Sequence, residues 1–546
     1  MQILNLLRQE STSVLRDILI AASLAGLSSS ATLAIINSAS QTAAYDNLNF
    51  RYLVMFLLTV SLYVICLRYT FDRTTQIFES IIERIRTRIS DKIRRADLKV
   101  LDNIGKAEIY NRLTQETTTI SQFSNLLSAA MQSAMIAIFV ALYLVLLSGH
   151  AFIITASLMT GGILIYLRAD KECKRYIEHT SQKEIKFFEI FTHIIDGFQE
   201  IRVNQRRSDD IFKYAKILSR TVKNFKIKAD RLYNQTYILA QLIVYFNLAA
   251  IVFVLPRLVP TYTAVITETT TAIMFILGPL GTVVAAIPNL SKANIAVAHI
   301  FDLERRLDAY QRSAESSRYS EIKTIDAFEK ISLIDIEFTY EDKSENRLFT
   351  IGPLSLTVYA GETLFIIGGN GSGKSTLLKL LAGLYYPERG TILIDDLRID
   401  SSTAQSYREL FSIIFSDFHL FDKLYGLRDV RQDTVQELLK LMGLSNKTAF
   451  VDGRFTTLDL STGQRKRLAL LVTLLEDRPI YVFDEWAAEQ DPEFRAYFYD
   501  VLLQELHERG KTIISVTHDD RYFHRADRIV KMDYGKIEFI KTPSEL

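Results

Sequence analysis

The stretch "GGNGSGKST", Gly368 to Thr376, gathers residue types suited to one task, holding a chain of phosphates. It matches G-x-x-x-x-G-K-[ST] from Gly368 to Ser375. Gly368, Gly369, Gly371 and Gly373, with Asn370 and Ser372 between them, let successive backbone N–H groups close around an anion. Lys374 would reach the β- and γ-phosphates of a nucleotide, and the Ser375 hydroxyl, followed by Thr376, would ligate Mg²⁺. A glycine turn that binds nothing would need no particular flanks. Here an apolar strand, Glu362 to Ile367, precedes the loop and an apolar-periodic helix opens near Lys374.

A second group lies downstream. "RPIYVFDEWAAEQDPEF" sets Asp484 and Glu485 directly after the apolar run Ile480 to Phe483. In α/β nucleotide domains ligands gather at the carboxyl ends of parallel strands. There Asp484 would hold the Mg²⁺ hydration shell, and Glu485 would orient and polarise an attacking water. "SVTHDD" places His518 after another apolar strand, Thr512 to Val516. Between the loop and the acidic pair, "LSTGQRKRLALLVTLL" (Leu460 to Leu475) reads as a serine- and glycine-containing turn opening an amphipathic helix, a second anion-binding arrangement.

The elements that must carry these residues divide the chain near Glu315. At 546 residues it exceeds one compact domain, and 48% of it is aliphatic or aromatic. Mean hydropathy is +0.11, high for a soluble enzyme. After Glu315, short apolar strands alternate with amphipathic helices; before it lie six uncharged apolar runs, 18–36, 52–67, 126–147, 151–167, 237–255 and 269–288. About 20 helical residues cover a hydrocarbon core of ~30 Å, so these runs read as membrane spans, the second and fourth borrowing from their flanks. The expected organisation is a transmembrane domain over 1–314, a linker over 315–325 and an α/β domain over 326–546.

The long segments between spans two and three and between spans four and five are rich in Lys and Arg, while the three short connections offer only Arg51 and Arg257. The positive-inside rule then puts both long segments, both termini and the α/β domain in the cytoplasm. Ile77, Phe78, Ile81, Ile82, Ile85, Ile89 and Ile93 make one helical stripe, so the second span should continue far beyond the membrane. A net charge of +1 gives no reason to expect nucleic acid as a partner. Cys66 and Cys173 supply neither a disulfide framework nor a zinc spacing.

Taken in order, six spans with long extensions, Gly368–Ser375, "LSTGQ", "VFDE" and "THD" resemble an ABC transporter half-molecule of the exporter type over nearly the whole chain. The resemblance implies an ATP hydrolase coupled to transport: a six-helix membrane bundle fused to a P-loop ATPase domain, with ATP and Mg²⁺ as cofactors. It assigns Tyr340 to stacking on adenine, Glu485 and His518 to catalysis, and Asp491 to a dimer contact. It also assigns Ser461, Thr462, Gly463 and Gln464 to the γ-phosphate of ATP held by the partner copy. Because each site would need one copy's phosphate loop and the other's signature, a homodimer is expected. The turns at Asp102–Leu113 and Asp196–Arg207 resemble the family's coupling helices, and the stretch from Ala314 to Thr324 resembles its hinge.

Departures from the family pattern narrow the reading. Ser416, followed by Asp417, stands where a Mg²⁺-touching glutamine is usual, so either residue or a water would substitute. Trp486 follows the glutamate, where packing that fixes the glutamate loop is expected rather than nucleotide contact. "DEWAAEQDPEF" and "FSDFHLFD" are similar to the bacterial cyclic-peptide exporters, which implies an inner-membrane protein exporting a microcin- or siderophore-like peptide. Membrane lipids surround such a protein, and an outer-membrane channel is a candidate further partner. A lipid flippase of the same architecture, or a membrane-anchored ATPase that moves nothing, are the alternatives.

The span cores hold no Asp, Glu, Lys, Arg or His, which argues against proton or metal-ion cargo. Gln132, Asn234, Gln235, Gln241 and Asn247, with Tyr143, Tyr166, Tyr237 and Tyr245, could line a cavity or bond helix to helix. Pro279 should weaken the sixth helix.

Overall fold

The computed structural model describes residues 12–42, 50–258, 266–311, 325, 327–342, 347–400, 402–427 and 429–545, so the expected hinge at 314–324 lies outside the described residues. Two compact units emerge, one within 1–94 and 104–307, the other within 95–103 and 308–546.

Among its described residues the first unit is built of helices joined by short turns. The apolar runs lie in α1 (Thr12–Thr42), α2 (Phe50–Arg95), α5 (Thr117–Leu147), α6 (Gly149–Asp196), α8 (Gln205–Ala249, continued by a π-turn to Val254) and α9 (Ile266–Gln311). Three short helices, α3 (Leu98–Ile104), α4 (Lys106–Asn111) and α7 (Phe198–Val203), sit at the far turns. Hydroxyls inside the long helices bond back to their own carbonyls, as Thr70 does to Cys66 O at 2.8 Å and Thr32 to Ser28 O at 2.8 Å, which lets them sit among apolar neighbours. Val140, Leu144, Ile251, Leu255, Ala272 and Ile273 form a buried seam between helices. Leu57, Leu58 and Ile65 point outward, the arrangement that suits lipid rather than water.

Among the described residues five helices are long and apolar enough to cross a membrane, in α1, α2, α5, α8 and α9. The run 151–167 falls in α6, where the side chains of 163–174 are not described. α9 continues unbroken through Pro279 and Pro288, so the expected weakening does not interrupt it.

Several polar side chains in the spans tie helix to helix. Gln132 donates to the Tyr63 hydroxyl at 2.8 Å, Asn37 to the Tyr143 hydroxyl at 3.2 Å, and Asn247 to Thr155 Oγ1 at 3.1 Å. Beyond the apolar cores, charges pair in a partly buried cluster: Glu116 with His299 at 2.6 Å and Arg112 at 2.8 Å, and Arg88 with Glu304 at 2.6 Å.

Among its described residues the second unit holds two large sheets and a small two-stranded one, Phe450–Val451 with Arg454–Phe455. One large sheet has the order β10-β9-β3-β8-β7-β6, from β3 (Thr363–Gly368), β6 (Phe411–Ile414), β7 (Ile480–Asp484), β8 (Thr512–Val516), β9 (Arg528–Asp533) and β10 (Lys536–Lys541). Its pairs are parallel except at the β9–β10 edge. The central strands read as unbroken apolar runs because both faces are covered. Side-chain alternation divides them between two cores: Ile366, Val482 and Ile514 face one, and Phe365, Phe483 and Ile513 the other.

The other large sheet is antiparallel, ordered β2-β1-β4-β5, from β1 (Lys330–Asp342), β2 (Arg347–Tyr359), β4 (Arg389–Ile394) and β5 (Leu397–Arg398). Strand–helix alternation does not announce it, since β1 and β2 follow one another with no helix between.

Residues 95–103 group with this second unit. The Tyr385 hydroxyl donates to Asp102 Oδ2 at 2.8 Å, and Lys99 Nζ lies 3.0 Å from Glu388 and 4.9 Å from the Phe338 ring centre. Asp102, the first residue of the expected Asp102–Leu113 turn, belongs to this group. Gly105, at φ +85°, ends α3.

Candidate nucleotide site

Strand register assembles the site. Val516 pairs with Ile366 on one side and with Asp484 on the other, so β3, β8 and β7 end at one edge of the sheet. That edge carries Gly368, Asp484 and Glu485, with His518 two residues beyond β8. The distant stretches of sequence thus meet because their strands end in step.

At Gly368 the chain turns at φ +151°, and a Cβ there would lie 2.3 Å from the Met532 carbonyl oxygen and 2.8 Å from Ser372 Oγ, so no other residue fits. Beyond the loop, α10 (Lys374–Leu381) begins with Gly373 as its N-cap. The Lys374 side chain is only 5% exposed. Its ammonium donates to the carbonyls of Gly368 and Gly369, both at 3.0 Å, and stands 3.7 Å from Glu485 Oε1. Tyr340 pairs across β1 and β2 with Phe349, whose ring would lie 3.4 Å from a Cβ on Gly373. Tyr340 is 41% exposed, leaving an aromatic face for a planar ligand beside the loop.

Asp484 is buried, and its Oδ1 meets no hydrogen-bond partner in the chain, while Oδ2 accepts from Ser416 N at 3.4 Å. The Ser372 hydroxyl is likewise buried and unpartnered. Orphaned buried oxygens call for a ligand, and a lone carboxylate suits a hard cation that keeps waters and phosphate oxygens as its other ligands. The residues present therefore fit Mg²⁺. Among the described residues no group of three or more His, Cys, Asp or Glu could hold a metal unaided. Asp417, next to Ser416, is exposed.

Glu485 adopts the left-handed conformation, φ +50°, and His518 Nε2 stands 3.3 Å from its Oε1. Trp486, directly after it, is 1% exposed, packs 4.5 Å from Phe498 and donates its indole N–H to Lys466 O at 2.8 Å.

The signature stretch opens α11 (Thr462–Glu476) with a capping box: Ser461 Oγ accepts from Gln464 N, and Gln464 Oε1 accepts from Ser461 N at 3.2 Å. Gln464 thus has a structural task. Gly463 O accepts from Gln490 at 3.2 Å. Asp491 caps the next helix, α12 (Pro492–Tyr497), through Phe494 N at 2.8 Å, and pairs with Arg467. The Phe494 N–H first, and then the Arg467 guanidinium, hold the Asp491 carboxyl below the usual range.

Lys466, whose ammonium donates to Glu485 O at 2.9 Å, escaped the sequence reading. Its signal is periodicity: it shares a face with the buried Ala469, Leu470 and Thr473, where an unpaired lysine would be costly.

A phosphate loop beside an orphaned carboxylate, on a chain whose other unit is built of long apolar helices, defines an ATP-driven membrane transporter. The chain belongs to the ABC transporter family and is an ATP-hydrolysing transporter. The family models for "ABC transporter" and "ABC transporter transmembrane region" match residues 351–488 and 18–280. The chain is 34% identical to ATP-binding protein SyrD of Pseudomonas syringae pv. syringae over 84% of this chain and 82% of that one. It is 30% identical to the ATP-dependent lipid A-core flippase of Francisella novicida over 46% of this chain and 43% of the flippase. Its fold matches a bacterial Atm1-family ABC exporter solved with ATP bound, at a TM-score of 0.77 and 18% identity, over 98% of this chain and 96% of that one.

Proposed function

We propose that two copies of this chain form a homodimeric exporter in a bacterial inner membrane, moving a cyclic or otherwise modified peptide out of the cytoplasm. The observation that carries the cargo reading is a pair on α8: Gln241 Nε2 donates to the Tyr237 hydroxyl at 3.1 Å, and both side chains lie 3.9 Å from where a Cβ on Gly281 of α9 would be. Unlike Gln132 and Asn247, this pair bonds within one helix. It offers an aromatic face and amide groups to an amphiphilic peptide, and the span cores offer no charge for an ion.

A second copy is supported by the end of the α6–α8 hairpin, where Phe188, Phe191, Ile195 and Phe198 are exposed in the single chain although they are large and apolar. In the dimer, Ser461 and Gly463 would face the γ-phosphate bound by the other copy's loop, with Asp491 near the contact. In each site Lys374 and the loop N–H groups hold the phosphates and Tyr340 stacks on the base. Glu485 takes the proton of the attacking water, and His518 fixes the glutamate and the γ-phosphate. Ser375 and Asp484, with Ser416 or Asp417 as a further candidate, would hold Mg²⁺, which when bound would neutralise charge on the phosphate oxygens.

Inside-out vesicles test the cargo. ATP-dependent uptake of one member of a panel of cyclic and siderophore-like peptides, lost in Glu485→Gln, is the expected result. The similarity to a lipid flippase favours a second reading: ATPase stimulated by lipid, with no peptide accumulated, would replace the peptide by a lipid.

Coupling has its own test. Tyr385→Phe keeps the ring stacked 4.8 Å from Phe338 but removes the hydrogen bond to Asp102. A bond to a charged acceptor contributes ~1.5–3 kcal/mol. Transport per ATP hydrolysed should fall several-fold while nucleotide affinity holds; an unchanged ratio would remove this contact from the drive.

A further inference from the structure

We propose that Trp486 and Lys466 are positioning residues for Glu485, which together bind the glutamate loop to α11 so that the signature helix sets where the carboxylate stands. The inference rests on the assignment of Glu485 as the base and adds what holds that base in place.

A non-glycine residue in the left-handed region costs on the order of 1–2 kcal/mol and persists only where its surroundings hold it. At Glu485, φ +50°, two bonds do so. Its N–H donates to Val516 O at 3.2 Å, and its carbonyl accepts from Lys466 Nζ at 2.9 Å. The Lys466 side chain is 6% exposed, and an anionic neighbour, Glu489, is 3.6 Å away. A buried ammonium is costly unless hydrogen-bonded, so the Glu485 carbonyl is a partner the lysine cannot give up cheaply.

The next residue returns the tie. The Trp486 indole has one donor and no acceptor, and it donates to the backbone carbonyl of Lys466 at 2.8 Å. Each side chain therefore holds the other's strand of backbone: 466 grips the main chain at 485, and 486 grips the main chain at 466. Phe498 and Phe494, at 4.5 and 6.0 Å, lock the indole plane. A further link runs parallel, with Gln490 donating to Gly463 O at 3.2 Å while accepting from Arg467 Nε at 2.9 Å. Packing alone would ask only for an apolar ring and an apolar stem at these two positions. The N–H and the ammonium mark a requirement for geometry.

The test uses the full-length protein in lipid nanodiscs, with ATPase measured against ATP concentration and normalised to the folded fraction. Misplacing a reacting group by about 1 Å can cost ~100-fold, so Trp486→Phe and Lys466→Met should lower kcat roughly 10- to 100-fold. KM and nucleotide affinity should stay within about twofold, because binding groups are untouched. Lys466→Gln keeps a donor one bond shorter and should recover at least about threefold over Lys466→Met. A purely structural role would leave kcat per folded molecule unchanged in Lys466→Met, or make Gln no better than Met; either result overturns the brace. If Trp486→Phe does not fold, the Lys466 pair decides alone. Glu485→Gln run alongside separates two failures. If it keeps wild-type turnover, the base assignment falls and the brace with it. If it loses turnover while Lys466→Met does not, only the brace falls.

Discussion

Glu485→Gln should lower ATP hydrolysis by ~10²–10⁴-fold while leaving ATP binding close to wild type, since that is the range a positioned general base contributes. The substitution preserves the volume of the side chain and removes only its ability to take a proton. The left-handed backbone at this position and the Lys466 contact to its carbonyl do not depend on the carboxylate, so the loop should keep its shape. His518 Nε2, 3.3 Å from Oε1, can still donate to an amide oxygen. Phosphate release and equilibrium nucleotide binding, measured on the same preparation, check both halves. Turnover within a few-fold of wild type would remove Glu485 from the chemistry and return the role of base to another group.

Lys374→Met should act on the opposite quantity. The Lys374 ammonium rests on the Gly368 and Gly369 carbonyls, buried and poorly solvated. With ATP those bonds are exchanged for phosphate oxygens, and each charge-assisted bond contributes ~1.5–3 kcal/mol. Losing two of them should weaken ATP binding at least roughly 100-fold, since every 1.4 kcal/mol is a factor of ten. Methionine matches the aliphatic stem, so thermal unfolding should move little, and titration with a fluorescent ATP analogue reads the affinity. Retained affinity with lost turnover would shift the lysine from binding to the transition state. The two variants should therefore differ in kind, Lys374→Met failing to bind and Glu485→Gln failing to turn over.

Much of this chemistry was legible from local pattern. Glycine spacing, a carboxylate pair after an apolar run and a histidine after another each report a strand end, because a parallel strand buried on both faces must be a short continuous apolar segment. Apolar runs of membrane length and the Ile77–Ile93 stripe likewise report helices without reference to anything distant. What pattern could not supply was whether a polar side chain met a partner. Gln132 and Gln241 look alike as letters in apolar runs, yet one bonds across helices to Tyr63 and the other within its own helix to Tyr237.

By itself, then, the sequence determined the division into a helical and an α/β half, the phosphate loop, and the candidates Asp484, Glu485 and His518, since each depends on periodicity or on residues within one or two turns. Only the tertiary structure decided the antiparallel sheet of β1, β2, β4 and β5, the grouping of residues 95–103 with the second unit, and the hydrogen-bond partner of the single tryptophan. The Trp486 indole and the Lys466 ammonium are 20 positions apart, and neither has meaning as a donor until folding brings its acceptor within 3 Å. Hydrogen bonding is short-ranged and directional, so a donor's role is set by which carbonyl the fold places in front of it.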